Sequence, residues 1–127
     1  LFPYTTLFRS PYRRGKVFEG HLFETLFKGT EYVGRLKREF FPYIDFYDHN
    51  LKKGISLKTT NAEKGFSDIY KNIKDLKEKA LGNSLDGRQV DQVALYIAVP
   101  QDYDISLLNG VFRAAAAAGV PTFYIRL

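Results

Sequence analysis

Apolar residues recur every four positions at Phe18, Leu22 and Leu26, and Val17, Phe23 and Phe27 widen the stripe. That spacing predicts a helix over 15–27. Gly29 ends it, with Lys28 in its last turn. Residues 30–39 read as a loop holding a short strand at 31–33. The period then changes. Residues 40–48 read as a strand with Pro42 at its start or on an edge, and 55–59 as a second. The two form a hairpin whose loop of about six residues, bracketed by His49, Asn50 and Gly54, is longer than the commonest hairpin loops. Phe66, Ile69, Tyr70, Ile73, Leu76 and Ala80 line one side of a helix over 66–81, which Gly82 closes. Residues 82–89 read as a polar loop. Val93 to Val99 is a nearly continuous apolar run, as expected of a strand buried on both faces, and Pro100 closes it. Asp104 or Ser106 caps a helix reaching Ala118, whose five alanines favour helix and close packing. Gly119 stops that helix, and 120–126 is the last strand.

The predicted order is helix, two strands, helix, strand, helix, strand. The final strand–helix–strand unit makes parallel neighbours. The chain therefore reads as an α/β fold, a mixed β-sheet flanked by helices. At 127 residues it has room for one core and not two. Apolar residues at 45% and charged residues at 26% exclude a disordered chain. Cysteine is absent, which excludes a disulfide scaffold and a thiolate metal site. No apolar run is long enough to span a membrane.

Residues 1–10, LFPYTTLFRS, resemble one reading frame of a common short-read sequencing adapter. They are expected to lie outside the domain, which then occupies residues 11–127. Deleting them is expected to leave the unfolding midpoint and any activity unchanged. A stability loss above about 1 kcal/mol would contradict that expectation.

The formal charge is +5. Its distribution is more telling: Arg13, Arg14, Lys16, Lys28, Arg35, Lys37 and Arg38 face only Glu19, Glu24, Glu31 and Glu39 in the same segment. A basic surface interleaved with Tyr and Phe suits a polyanion. A solvated basic face reads the same way.

The hairpin carries the candidate chemistry. Side chains alternate along a strand. Ile44, Phe46, Ile55 and Leu57 are then expected in the core, and Asp45, Tyr47, Ser56 and Lys58 together on the opposite face. Glu19 lies on the preceding helix, and Asp48 at the strand end. Carboxylates hold a hard divalent ion, and a lysine beside a phosphate orients water and offsets developing charge. This is what metal-assisted phosphodiester cleavage needs. A charged outer face with a surface ion pair fits the same pattern, and the pattern leaves both open.

Tyr43-Ile44-Asp45 followed by Ser56-Leu57-Lys58, after a helix bearing Glu19, resembles the PD-(D/E)XK nuclease core. Ser56 stands where that pattern has an acid. The order Gly15-x-x-Phe18-Glu19, Ile44-Asp45-Phe46-Tyr47-Asp48, Ile55-Ser56-Leu57-Lys58-Thr59-Thr60 also resembles the C-terminal toxin domain of CdiA-type contact-dependent growth inhibition proteins. The likeness continues through Ile69-Tyr70 to Ile73 and resumes at Leu95 to Pro100.

That resemblance implies a PD-(D/E)XK-type endonuclease toxin cleaving RNA, most of all tRNA. It implies Glu19, Asp45, Asp48, Ser56 and Lys58 as the active site, with Glu19, Asp45 and Asp48 holding the metal. With only oxygen ligands on offer, the expected ion is Mg²⁺. Arg13, Arg14, Lys16, Tyr47 and Thr59 are the candidates for substrate contact. His21 and His49 are weaker candidates for a general base. The family is delivered at the end of a long surface protein, acts in the target-cell cytoplasm and is neutralised by an immunity protein. A PD-(D/E)XK-type DNase is the alternative enzyme, because one fold serves both substrates. A non-catalytic nucleic-acid-binding domain is the alternative outside enzymes.

Overall fold

The structure is a computed structural model and describes residues 19–35 and 43–126. Helix α1 covers 19–25 within them, and a 3₁₀ turn follows at Val33–Arg35. Strands β1 (Phe46–Asp48) and β2 (Lys53–Thr59) form the hairpin. Helix α2 (Ser67–Asp75) continues into a π-helical turn, Leu76–Ala80. A short hairpin, β3 (Ser84–Leu85) and β4 (Arg88–Gln89), precedes β5 (Gln92–Val99). Helix α3 (Asn109–Ala118) and strand β6 (Thr122–Arg126) complete the fold. Among the described residues, no helix is long and apolar enough to cross a membrane.

The main sheet runs β1-β2-β5-β6. β1 is antiparallel to β2, with Phe46 opposite Ile55. β2, β5 and β6 are parallel, with Ser56 beside Leu95 and Ile97 beside Tyr124. Helices cover both faces, so the mixed sheet flanked by helices is as expected. Leu22 and Phe27 pack on Phe46, Ile55, Leu57 and Ala98. On the other face, Ile69, Ile73, Leu76, Val111 and Ala115 pack against Val93, Leu95, Ile97 and Val99. The apolar continuity of β5 follows from this double burial.

Several boundaries differ from the sequence reading. β1 is short, because Tyr43 has a positive φ of 71° and the chain enters the strand only at Phe46. Residues 40–42 of the expected strand lie outside the described residues. Tyr70, expected in the apolar stripe, is 41% exposed. The apolar side of α2 narrows to Ile69, Ile73, Leu76 and Ala80. Asp104 caps a 3₁₀ turn, Ile105–Leu108, rather than the helix itself, accepting from Ser106 N–H at 3.1 Å. Gly119 takes the left-handed conformation that ends α3, and Val120 N–H returns to Ala115 at 2.9 Å.

The expected polar loop at 82–89 is a hairpin. Its turn residues Asp86 and Gly87 have φ of 51° and 80°, the Asp-Gly pairing of a tight hairpin turn. The hairpin is tied to the rest by charge. Arg88 donates to both oxygens of Glu31, Nε at 2.7 Å, and His49 adds a contact at 2.9 Å. The Arg88 hydrogen bond holds the Glu31 carboxyl at about 2, against the opposing effect of burial. A depressed carboxylate stabilises the fold above its ordinary value of 4.5 and loses that contribution as pH falls toward about 2. Thermal unfolding is expected to show this loss over that window. Arg88→Gln should lower the midpoint above the window and converge with wild type below it. Parallel curves down to the acid end would contradict the assignment.

Candidate functional site

Asp45 is the hinge of the site. It precedes β1, where the ladder to β2 has opened. Its backbone still pairs, with N–H to Ile55 at 2.8 Å and C=O to Gly34 N–H at 3.0 Å. Its carboxylate Oδ2 accepts Leu57 N–H at 2.7 Å, standing in for the missing strand partner. Oδ1 is left to face Gly34. A Cβ on Gly34 would lie 3.3 Å from Asp45 Oδ1 and 3.3 Å from Glu19 Oε1. The two carboxylates therefore flank one point, where a Cβ would also crowd the Tyr32 ring at 3.1 Å. Glu19 Oε1 is shut off from solvent. Tyr32 registers both charges. Burial first, then Glu19 and Asp45, push its phenol above the ordinary range.

Asp45 also borders a cavity of about 410 Å³. Ser56, Lys58 and Asp45 line it from the strands. Asp68, Lys71, Asn72 and Asp75 line it from α2. Ser56 Oγ donates to Asn72 Oδ1 at 2.7 Å, and both residues are buried. Lys71 and Lys79 pair with Asp75 at 3.2 and 3.6 Å. Among the described residues no carboxylate pairs with Lys58, so its ammonium is open to an anion in the cavity.

No protein-family model matches this chain, and no curated protein matches it. A solved structure does. It is described as the CdiA-CT/CdiI toxin and immunity complex from Yersinia pseudotuberculosis. The TM-score is 0.59 at 21% identity, over 86% of this chain and 97% of that chain. The two chains share a fold.

The remaining predicted site residues are placed as follows. Asp48 stands at the loop end of β1, opposite Lys53. Its Oδ1 accepts Asn50 and Leu51 N–H at 2.9 and 3.1 Å, which makes it the cap of the hairpin turn. It does not join Glu19 and Asp45. Among the described residues no group of three or more His, Asp or Glu is arranged to hold a metal. Thr59 is half-buried at the end of β2 and does not line the cavity. His49 is exposed beside Glu31. His21 lies on α1. Arg13, Arg14 and Lys16 lie outside the described residues.

One expectation about the hairpin needs correction. Tyr47 and Ser56 do not lie on an open face: they are 3% and 2% exposed, because α2 and the small hairpin cover that side. Tyr47 packs with Ile44 in the core under α2 and gives its hydroxyl proton to Gln89 C=O. Strand alternation is broken between Ile44 and Phe46, since these two residues join opposite faces of the sheet. Lys71, read from sequence as part of a solvated helix side, lines the cavity, although its side chain is 74% exposed. Asp68, Asn72 and Asp75 were legible only as polar residues at helical spacing of three to four beside the apolar stripe.

Proposed function

We propose that this chain is the toxin domain of a contact-dependent growth inhibition system, a metal-dependent endonuclease of PD-(D/E)XK type that cuts RNA, most of all tRNA. The observation that carries the proposal is the meeting of Glu19 and Asp45 at Gly34, with Asp45 and Lys58 in the wall of one cavity. The solved chain of like fold comes from a toxin and immunity complex, which supports the toxin half of the reading.

The donor set fits a hard cation. Two carboxylates that converge on one point suit Mg²⁺, which is commonly held by one or two carboxylates together with substrate phosphate and water. Glu19 and Asp45 would hold it. When bound, such an ion polarises the phosphate and makes water more acidic. The protein's own part lies around it. Asp45 is locked to the backbone of β2, so its free oxygen stays aimed at the site. Lys58, two residues along the same strand as Ser56, orients the attacking water and offsets charge developing on the phosphate. Ser56 supplies an oxygen in the wall between them. Arg13, Arg14, Lys16 and Thr59 are proposed to guide the RNA backbone toward this cavity.

A toxin of this kind needs neutralising in its own cell. The partner is proposed to be an acidic immunity protein seated over the mouth of the cavity, since complementary charge speeds encounter and penalises wrong partners. Delivery as the C-terminal part of a larger surface protein, into the cytoplasm of a target cell, belongs to the same proposal. Inducible expression inside bacteria tests it. Growth arrest with fragmented tRNA is expected from wild type and not from Asp45→Asn. Arrest with intact RNA and degraded chromosomal DNA would transfer the reading to a DNase. Harmless accumulation of folded wild-type protein would remove the toxin reading altogether.

A further inference from the structure

The nuclease pattern has an acid at position 56, whereas this chain has a hydroxyl. A carboxylate only accepts hydrogen bonds, while a serine can accept or donate. Left free to rotate, Ser56 could present its proton to the cavity and compete with the groups that handle the water. The structure holds that proton elsewhere.

We infer that Asn72 is a positioning residue that takes the Ser56 hydroxyl proton and so presents the Ser56 oxygen to the cavity as an acceptor alone. The inference rests on the nuclease reading above. Its basis is a chain of fixed polarities. The carbonyl of Tyr43 can only accept, and Asn72 Nδ2 donates to it across 3.5 Å. That contact is long and agrees with the amide orientation in which Oδ1 faces Ser56. Asn72 Oδ1 then faces Ser56 and can only accept, so Ser56 Oγ donates, at 2.7 Å. The lone pairs of Ser56 Oγ are left for the cavity that Ser56, Asn72 and Lys58 all line.

Burial gives the arrangement its strength. Ser56 is 2% exposed and Asn72 8%, so bulk water does not compete for the bond. Tyr43 contributes through its backbone. Its positive φ of 71° belongs to the turn that delivers the chain to Asp45. One helix residue thereby ties together the serine and the segment that sets Asp45. Supporting contacts of this kind orient groups that touch substrate without touching it themselves.

The test is a mutant cycle read in steady-state cleavage of tRNA with Mg²⁺, and in urea unfolding. Asn72→Leu removes the acceptor at similar size and is expected to lower kcat by about 10-fold to 100-fold, with KM little changed. Asn72→Asp keeps an acceptor and should stay within about threefold of wild type, below the loss typical of a missing supporting contact. On a Ser56→Ala background, Asn72→Leu should lower kcat no further, because the residue it acts through is gone. Unfolding should show the same non-additivity between the two positions. Asn72→Ser, smaller and polar, replaces leucine if that variant does not fold. Additive losses in kcat, or a folded Asn72→Leu that cuts at the wild-type rate, would overturn the inference and leave the nuclease reading standing. A wild-type protein that cuts neither RNA nor DNA would end both.

Discussion

Asp45→Asn and Lys58→Ala are each expected to lower cleavage by about 10³-fold, the scale seen when one preorganised electrostatic group is removed from a reacting centre. Asparagine is the informative replacement at position 45. Its amide oxygen can still accept Leu57 N–H, which the carboxylate now does at 2.7 Å. Alanine would leave that partly buried N–H without its acceptor, at a penalty of about 1–3 kcal/mol, and would mix a folding defect into the kinetic one. Lys58 carries no such entanglement, since it is half-buried and lies at the cavity wall. Circular dichroism and the unfolding midpoint check that both variants fold. Either one cutting at the wild-type rate while folded would remove that residue from the site.

The largest effect on stability is expected at Phe46. It is fully buried, with rings on several sides: Phe27 at 4.5 Å, Tyr32 at 5.1 Å and Phe23 stacked at 6.3 Å. It sits in β1, under α1, and so joins the helix bearing Glu19 to the strand that follows Asp45. Phe46→Ala opens a cavity that the surrounding rings cannot fully close, and is expected to cost about 3–5 kcal/mol in urea unfolding. A loss under about 1 kcal/mol, the size of an ordinary point mutation, would show that α1 packs on the sheet less tightly than these distances state. Activity should fall with stability here, because Glu19 depends on the same packing.

The parts of the fold most legible in the sequence are those whose pattern is set locally. The stripe Ile69, Ile73, Leu76, Ala80, the unbroken run of β5 and the glycine stop of α3 each follow from one segment's own chemistry. The small hairpin was missed although its Asp86-Gly87 signal is present, because the segment around it is polar and too short to show alternation. The face of β2 was misread for a different reason. Alternation states that Ser56 and Leu57 point to opposite sides, and says nothing about whether either side meets water. In a sheet covered on both faces neither does. Glu19, Asp45 and Lys58 were legible as candidates in chain order, and the structure brings Glu19 and Asp45 together at Gly34 and puts Asp45 and Lys58 in one cavity wall. That Asn72 and Asp75 line the same cavity was not legible, because it depends on how α2 docks against β2, a long-range event with no mark in either segment. Asp48 was grouped with Glu19 and Asp45 because its role as the cap of the hairpin turn leaves no mark in the sequence.

The most direct test of the central claim is cleavage by the purified wild-type protein. End-labelled tRNA and duplex DNA are incubated separately with Mg²⁺, and each reaction is repeated in excess chelator. The account predicts that tRNA is cut with Mg²⁺ present, that cutting stops in chelator, and that added Mg²⁺ restores it. Full activity in chelator would contradict it and point to a metal-free ribonuclease, with His21 or His49 as the base. The absence of cleavage of either nucleic acid by folded protein would contradict it outright and leave a non-catalytic binding domain.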